Sequence, residues 1–356
     1  MKGIKEIQNL KNTKVLLRVD FDVPVSGDSI IQEVFRIKKQ KPIIDYLVGQ
    51  GAITVMVAHI SAVDSFKPIL SQLQEILGHS INFLGQLGKL DQLGQLNLLD
   101  NIRRWPGEKA NSNDFAKQLC GDLDIYINNA FAVSHRNHAS VSAITGFLPA
   151  YAGLLVEEET HQLDKVINSS KEGKVVIIGG AKAETKAPVI KNFLDKSEKI
   201  ILGGVVANDI LKERGMNIDD SIVDENSREL FAGLNIYDER LVLADDFNAP
   251  NGKILDIGPK TIDKFTGLIR NAKMVIWNGP VGLFENPEYA KGTNEIAITL
   301  AGLKTFRVIG GGDTITAVNK LGLLDKFDFV STGGGSMLEF LAGNKLPGLE
   351  ALGYYE

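Results

Sequence analysis

Arginine, histidine and carboxylate residues recur at one kind of place in this chain, just beyond short apolar, β-branched runs. In the first half these places hold Arg18-Val19-Asp20-Phe21-Asp22, His59, Arg103-Arg104 and Asn128-Asn129, with Arg136 and His138 a little further on. All five histidines lie before residue 162. Arginine offers a planar fork of donors that fits carboxylate and phosphate oxygens. A cup of Arg and His therefore predicts a small anion as ligand. The opposing reading is that individual arginines only pair with Asp20, Asp22 or Asp100.

In the second half the same places carry glycine: Gly179-Gly180-Ala181-Lys182, Gly203-Gly204, Asn278-Gly279-Pro280, Gly310-Gly311-Gly312-Asp313-Thr314 and Gly333-Gly334-Gly335-Ser336. Glycine lets backbone approach a ligand. A glycine loop that opens a helix binds anions through free N–H groups and the helix dipole. Several such loops in one sheet predict a polyphosphate. Lys182 and Lys186 share a face if their turn is helical. Ser336 is a candidate N-cap for a last helix over 337–342. Arg36, at the start of a helix, and Lys182 are candidate donors to a moving phosphoryl group from opposite sides. Glu285 and Asp313 are candidate ribose and metal-side acids; a single Asp suffices for Mg²⁺, which takes its remaining ligands from phosphate and water. The alternative for Asp313 is a helix cap. No Walker A pattern is present, and no clear G-x-G-x-x-G with a distal acid, which weighs against a dehydrogenase.

The elements that must position these residues alternate. Strand candidates are 15–19, 53–58, 81–83, 96–99, 125–128, 175–178, 199–202, 241–244, 274–277, 307–309 and 329–331. Helical periodicity covers 36–49, 65–77, 114–119, 187–194, 208–213, 291–301 and 315–321. Alternation of this kind predicts an α/β protein with parallel sheets covered on both faces. Eleven strands exceed one open sheet, so two doubly wound domains are expected. A helix over 154–167 and a polar stretch, 168–173, mark the boundary. Residues 86–98, rich in Leu, Gly and Gln, read as a surface loop or short helix. Ligands of open α/β sheets bind outside the carboxyl ends of the strands, where the unusual residues fall.

Composition narrows the class. The chain has 356 residues, 44% hydrophobic and 23% charged, with a net charge of −5. That excludes a disordered chain and disfavours nucleic-acid binding. One cysteine, Cys120, suits a reducing compartment. No apolar signal region or stretch of membrane-spanning length is seen, so the expectation is a cytoplasmic protein.

These stretches together resemble the phosphoglycerate kinase family. They include RVDFDVP (18–24), Arg36-Ile37, LLDNIRR (98–104), DIYINNAFAVSHRNHAS (124–140) and FLPAYAGLLVEEE (147–159). They continue as IIGGAKAETK (177–186), ILGGVVAN (201–208), DIGPKT (256–261), IWNGPVGLFE (276–285), KGT (291–293), VIGGGDT (308–314) and STGGGSMLEFLAG (331–343). The resemblance implies two Rossmann-like domains joined by a helical hinge, which closes to bring the substrates together. It implies an N-terminal phosphoglycerate-binding domain over 1–152 on which the tail, 346–356, packs, a hinge over 153–172, and a nucleotide-binding domain over 173–345. The implied reaction is Mg²⁺-dependent phosphoryl transfer between 1,3-bisphosphoglycerate and ADP, giving 3-phosphoglycerate and ATP, by a monomer whose partners are small molecules. By matching position, Asp20, Asp22, Arg36, His59, Arg103 and Arg136 would hold the phosphoglycerate. Gly180, Lys182, Lys186, Gly204, Asn278, Glu285, Gly311, Gly312, Asp313 and Thr314 would hold the nucleotide, with Asp313 on the metal side. Arg36, Lys182 and the helix N-terminus at Gly334 would stabilise the moving phosphoryl group.

The acid side departs from the family pattern. Asp22 stands where the family has asparagine, and an added carboxylate beside an anion is repulsive unless protonated or paired. Arg18 and Arg103 are its candidate partners. The run Ala58-His59-Ile60-Ser61-Ala62-Val63 lacks an arginine expected to grip the phosphate. Losing one charge-assisted contact costs ~1.5–3 kcal/mol. Arg104 is a candidate substitute. Asn129 replaces the aspartate of the family's N-D-A-F stretch, and the first domain is trimmed around 61–98. These changes leave two alternatives: a kinase acting on a different small carboxylic acid, or a nucleotide-binding protein that has lost catalysis.

Overall fold

The computed structural model describes residues 1–88 and 93–356. The chain divides into two compact units, Met1–His161 with Lys345–Glu356, and Gln162–Asn344.

The first unit is built on six strands: β1 (Lys14–Arg18), β2 (Ile53–Val57), β3 (Asn82–Leu84), β4 (Leu96–Leu99), β5 (Ile125–Asn128) and β6 (Ala150–Ala152). They lie in the order β3-β4-β2-β1-β5-β6, every pair parallel. β1 is fully buried after its first residue, as expected of an apolar run covered on both faces. Two apolar clusters flank the sheet. One joins Val15, Leu17, Met56 and Ile127 to Ile37, Ile44 and Leu47 of the helix Phe35–Gly49. The other joins Leu16, Val57 and Tyr126 to Phe115 and Leu119 of the helix Asn113–Cys120. The tail packs on this unit, Gly348 N donating to Ser134 O at 2.8 Å. β6, flanked by Pro149 and Gly153, was not among the strand candidates; it carries only Ala-Tyr-Ala. The expected helix over 65–77 is a 3₁₀ turn, Lys67–Ile69, followed by a helix Leu70–Leu77. Part of the segment 86–98, residues 89–92, lies outside the described residues.

The second unit holds β7 (Lys174–Ile178), β8 (Lys199–Leu202), β9 (Leu241–Val242), a small antiparallel pair β10 (Phe247–Asn248) and β11 (Asp256–Ile257), then β12 (Met274–Asn278), β13 (Phe306–Gly310) and β14 (Phe329–Val330). The main sheet runs β14-β13-β12-β7-β8-β9, again wholly parallel. The helix Leu154–Asn168 crosses the boundary between the units along the chain. Its last turn is held by the buried Lys174, whose Nζ donates to Val166 O at 2.7 Å and Ser169 O at 2.9 Å. A cation there satisfies carbonyls that a helix end leaves unpaired.

In both sheets the order reverses beside the first strand, between β1 and β5 and between β7 and β12. The crevice outside the carboxyl ends of those strands is where an open α/β sheet receives ligand. In the second unit this crevice needs glycine for packing as well as for access. A Cβ at Gly279, where φ is +92°, would lie 2.0 Å from Gly179 O. Gly279→Ala is expected to destabilise the protein by roughly 2–5 kcal/mol, from strain plus overpacking. Gly267→Ala, in a helix with nothing within 4 Å of the new methyl, is expected to stabilise it by about 0.5–1 kcal/mol. Urea midpoints of the two variants check both signs.

Candidate active site

The loops after β1, β2 and β4 in the first unit converge on one cluster. Arg18 is buried and its Nη1 donates to the carbonyls of Val19 at 2.6 Å and Val57 at 3.1 Å. Its Nη2 stands 3.3 Å from Nδ1 of the buried His59. A guanidinium can only donate, so Nδ1 accepts and the ring proton sits on Nε2. Nε2 in turn faces Asp22 Oδ2 at 3.0 Å. Burial, reinforced by Arg18, pushes the His59 pKa below its ordinary value despite the aspartates nearby. His59 is thus a neutral donor to an anionic Asp22.

Asp22 pairs with neither Arg18 nor Arg103. Besides His59 it accepts from Ser61 N at 2.7 Å and Ser61 Oγ at 3.3 Å. Burial alone would raise its pKa, but the His59 and Ser61 hydrogen bonds outweigh that and hold it well below the ordinary carboxylate range. Arg36 Nη1 donates to Asp22 O at 3.0 Å and lies 3.9 Å from Asp20 Oδ2. Arg103 Nη1 reaches Ser61 Oγ at 3.3 Å. Its Nε and Nη2 are buried with no hydrogen-bond partner among the described residues, as is Asp20 Oδ2. Burial and then Arg136 push the Arg103 pKa down from its ordinary value. Arg136 itself is exposed. Asp20, Asp22, Arg36 and His59 are therefore linked by direct contacts, Arg103 joins them through Ser61, and Arg136 is coupled to Arg103 by charge. Arg104 does not join them. It is bound to Asp100, which also accepts from Ser65 Oγ and Phe66 N, so it is unavailable as the substitute arginine.

Two members of this site escaped the sequence reading. Ser61 bridges Asp22 and Arg103. Glu108, fully buried, accepts from Ser140 Oγ at 2.7 Å and Ser140 N at 2.9 Å, and lies 3.7 Å from His138. It steadies the segment that carries Arg136. Burial, then the cations Arg103 and Arg136, bring the His138 pKa down to about 4. The signal for Glu108 was weak, one acid in a polar Pro-Gly-Glu-Lys turn.

In the second unit the turn after β7 places Lys182 outside the helix it precedes. Lys182 has φ +65° and caps the helix Ala183–Phe193, so it does not share a helical face with Lys186. A non-glycine residue in this region is strained, and such strain concentrates at functional sites. The Lys182 side chain is exposed, whereas Lys186 is buried with its Nζ bound to Ala181 O. Burial brings the Lys186 pKa down to about 8 against the attraction of Asp313 and Asp224. Asp313 is exposed in the first turn of the helix Gly312–Lys320 and accepts no hydrogen bond among the described residues. Thr314 Oγ1 accepts from Gly279 N at 2.7 Å. Asn278 Nδ2 is buried beside Gly311 without a hydrogen-bond partner among the described residues. Glu285 is exposed on the loop after β12.

The glycines differ among themselves. A Cβ on Gly204 (φ +59°) would lie 2.6 Å from Gly180 N, so these two pack on each other. Gly312 has open space, and at Gly334 only the Gly311 backbone lies within 4 Å. Both start helices, Gly312–Lys320 and Gly334–Leu341. The second helix is capped by Gly333, with Ser336 buried in its first turn, so Ser336 is not the cap. Two open helix N-termini, with the buried Lys186 within charge reach of Asp313 in one of them, suit phosphate oxygens. A single open carboxylate at Asp313 suits Mg²⁺ that takes its remaining ligands from phosphate and water. No group of three or more His, Cys, Asp or Glu residues able to hold a metal occurs among the described residues.

The phosphoglycerate kinase family model matches residues 4–344. The phosphoglycerate kinase of Pelotomaculum thermopropionicum is 37% identical over 389 residues, covering 99% of this chain and 98% of the relative. That of Prochlorococcus marinus (strain MIT 9515) is 38% identical over 386 residues, covering 96% of each. Among solved structures, phosphoglycerate kinase from Pyrococcus horikoshii superimposes with a TM-score of 0.87 at 27% identity, covering 99% of this chain and 98% of that one. The enzyme from Coxiella burnetii gives 0.84 at 28% identity, covering 99% of each. These likenesses favour neither a kinase for another acid nor a binder without catalysis. The chain belongs to the phosphoglycerate kinase family and is a phosphotransferase.

Proposed function

We propose that this chain catalyses the reversible, Mg²⁺-dependent transfer of a phosphoryl group between 1,3-bisphosphoglycerate and ADP, giving 3-phosphoglycerate and ATP in glycolysis. The observation that carries this reading is Arg103, whose buried Nε and Nη2 have no hydrogen-bond partner among the described residues. Buried donors in native proteins are satisfied, and an anionic substrate would satisfy these. Arg36, His59, Arg103 and Arg136 hold the acid, with Asp20 and Asp22 orienting Arg36. The nucleotide lies over Gly180, Gly204 and Asn278, with Glu285 at the ribose. Lys182, Lys186, Gly311, Gly312 and Thr314 hold its phosphates. Magnesium, when bound at Asp313, neutralises charge on those phosphates. Arg36, Lys182 and the N–H groups at Gly334 stabilise the phosphoryl group in transit. Such transfer needs alignment and positive charge, with little covalent chemistry from the protein.

On this reading residues 1–152 with the tail 346–356 are the acid-binding domain, 153–172 the hinge and 173–345 the nucleotide-binding domain. The protein acts as a monomer in the cytoplasm on small molecules. The unpaired, buried Cys120 supports a reducing compartment, and among the described residues no helix is long and apolar enough to cross a membrane.

Asp22 keeps a full negative charge beside the acid site. Asp22→Asn is therefore expected to lower KM for 3-phosphoglycerate about fivefold, from removal of on the order of 1 kcal/mol of repulsion. An unchanged or higher KM would show that Asp22 assists binding. The reading as a whole is tested by a coupled assay of ATP consumption with 3-phosphoglycerate and Mg²⁺. Turnover that requires all three is expected; its absence removes the reading.

A further inference from the structure

We propose that Asp209 is a positioning residue of the nucleotide site: acting through Asp224, it fixes the Lys182–Ala183 turn and hence the place of Lys182. This rests on the reading that Lys182 and Lys186 hold the nucleotide.

The chain of contacts starts inside the second unit. Asp209 sits in the helix Gly204–Glu213 and is 0% exposed. Its Oδ1 accepts from Asp224 N at 2.8 Å. Asp224 Oδ2 accepts from Ala183 N at 2.9 Å. Ala183 is the first residue of the helix that Lys182 caps, and Lys182 gives that helix no side-chain cap. A helix start leaves N–H groups that need an acceptor. Here the acceptor is borrowed from a distant loop, and that loop is anchored by Asp209. The anchoring matters because Lys182 is held at φ +65°, a conformation a lysine leaves when nothing enforces it.

A carboxyl group is an unusual choice for the anchor. Asp209 Oδ2 is buried with no donor against it among the described residues, and the Asp224 carboxyl is close enough to interact with it directly. Two carboxylates so placed repel unless one is protonated. Burial first, and Asp224 second, bring the Asp209 pKa up to about 7, against the pull of Lys212 and of the Asp224 backbone hydrogen bond. The protonated acid can donate to Asp224 while still accepting from its N–H. Asparagine would do the same without a charge. Neither Asp209 nor Asp224 touches substrate in this account; their effect passes through the turn.

Steady-state kinetics of three variants decide it. Asp209→Ala and Asp224→Ala are each expected to raise KM for ADP roughly 3- to 30-fold, the range for losing a helix cap, with KM for the bisphosphoglycerate unchanged. Asp209→Asn is expected to keep KM for ADP at the wild-type level. If Asp209→Ala does not fold, Asp224→Ala, whose side chain is only half buried, reads the same link. Unchanged KM for ADP in both alanine variants would overturn the proposal. So would an equal rise for both substrates, or an Asn variant as impaired as the Ala variant. Full activity of Lys182→Ala would instead overturn the reading of the lysines on which the proposal stands.

Discussion

Lys182→Ala is expected to lower kcat by roughly two to three orders of magnitude, the usual effect of removing one donor aimed at charge in a transition state. KM for ADP should rise by a smaller factor, roughly tenfold, the loss of one charge-assisted contact to its phosphates. The substitution isolates the ammonium group well. Lysine and alanine both carry a Cβ, so the cost of the left-handed turn, φ +65°, is the same in each. The exposed lysine has no side-chain contact to lose within its own unit beyond its charge effect on Lys186. Lys182→Gly supplies a control. It should lose the same activity while gaining about 1 kcal/mol of stability from relief of the turn. Equal losses in kcat and in ADP affinity would mean that Lys182 serves ground-state binding only.

Arg36→Ala is expected to lower kcat by a similar factor, roughly 10²–10³, and to raise KM for 3-phosphoglycerate, with ADP affinity unchanged. Arg36 belongs to the acid site through Asp22 O and Asp20 Oδ2, and its side chain is 26% exposed. Its removal takes a cation away from a carboxylate, Asp20, that is itself 1% exposed. Part of the loss is therefore a disturbed site as well as a missing donor. Arg36→Lys separates the two, since lysine keeps the charge and gives up the planar fork. A lysine variant that regains substrate affinity without kcat would place the guanidinium fork at the moving phosphoryl group. Affinity of Arg36→Ala for ADP, measured by calorimetry, would have to fall for the assignment to fail.

Both residues were legible in the sequence, Lys182 because it lies just beyond a strand and Arg36 because it opens a run of helical periodicity. The runs 96–99, 125–128 and 199–202 and the helix 291–301 coincide with the observed elements. Burial on both faces makes such runs continuous and easy to see. The helix Pro259–Arg270 went unnoticed although its signals were present. Gly258 and Pro259 open it, and Ile262, Phe265 and Ile269 repeat at helical spacing. β9 was read two residues too long, since Leu243 and Ala244 are buried without being paired. The short pair β10 and β11 has no periodicity to detect at two residues each.

The site was legible as a set of residue types and illegible as a set of partners. Asp22, Arg103 and Arg104 were all visible. That Asp22 binds His59 and Ser61, and that Arg104 is taken by Asp100, depends on which loops meet beyond β1, β2 and β4. Pairing across loops has no period in the chain. Lys182 and Lys186 show the same limit: four residues apart suggested one helical face, but the helix begins one residue after Lys182. Asp209 lies among apolar neighbours on a buried helix face, a setting in which an acid is rare and its presence is a signal of its own.

The most direct test follows the transferred group itself. The protein is incubated with ATP labelled at the γ-phosphoryl group, 3-phosphoglycerate and Mg²⁺, and hydroxylamine is added to trap any acyl phosphate at the carboxyl as a hydroxamate. The account predicts one hydroxamate for each ADP formed, and none when 3-phosphoglycerate is left out. ADP formation without hydroxamate, or no ADP at all, would contradict it.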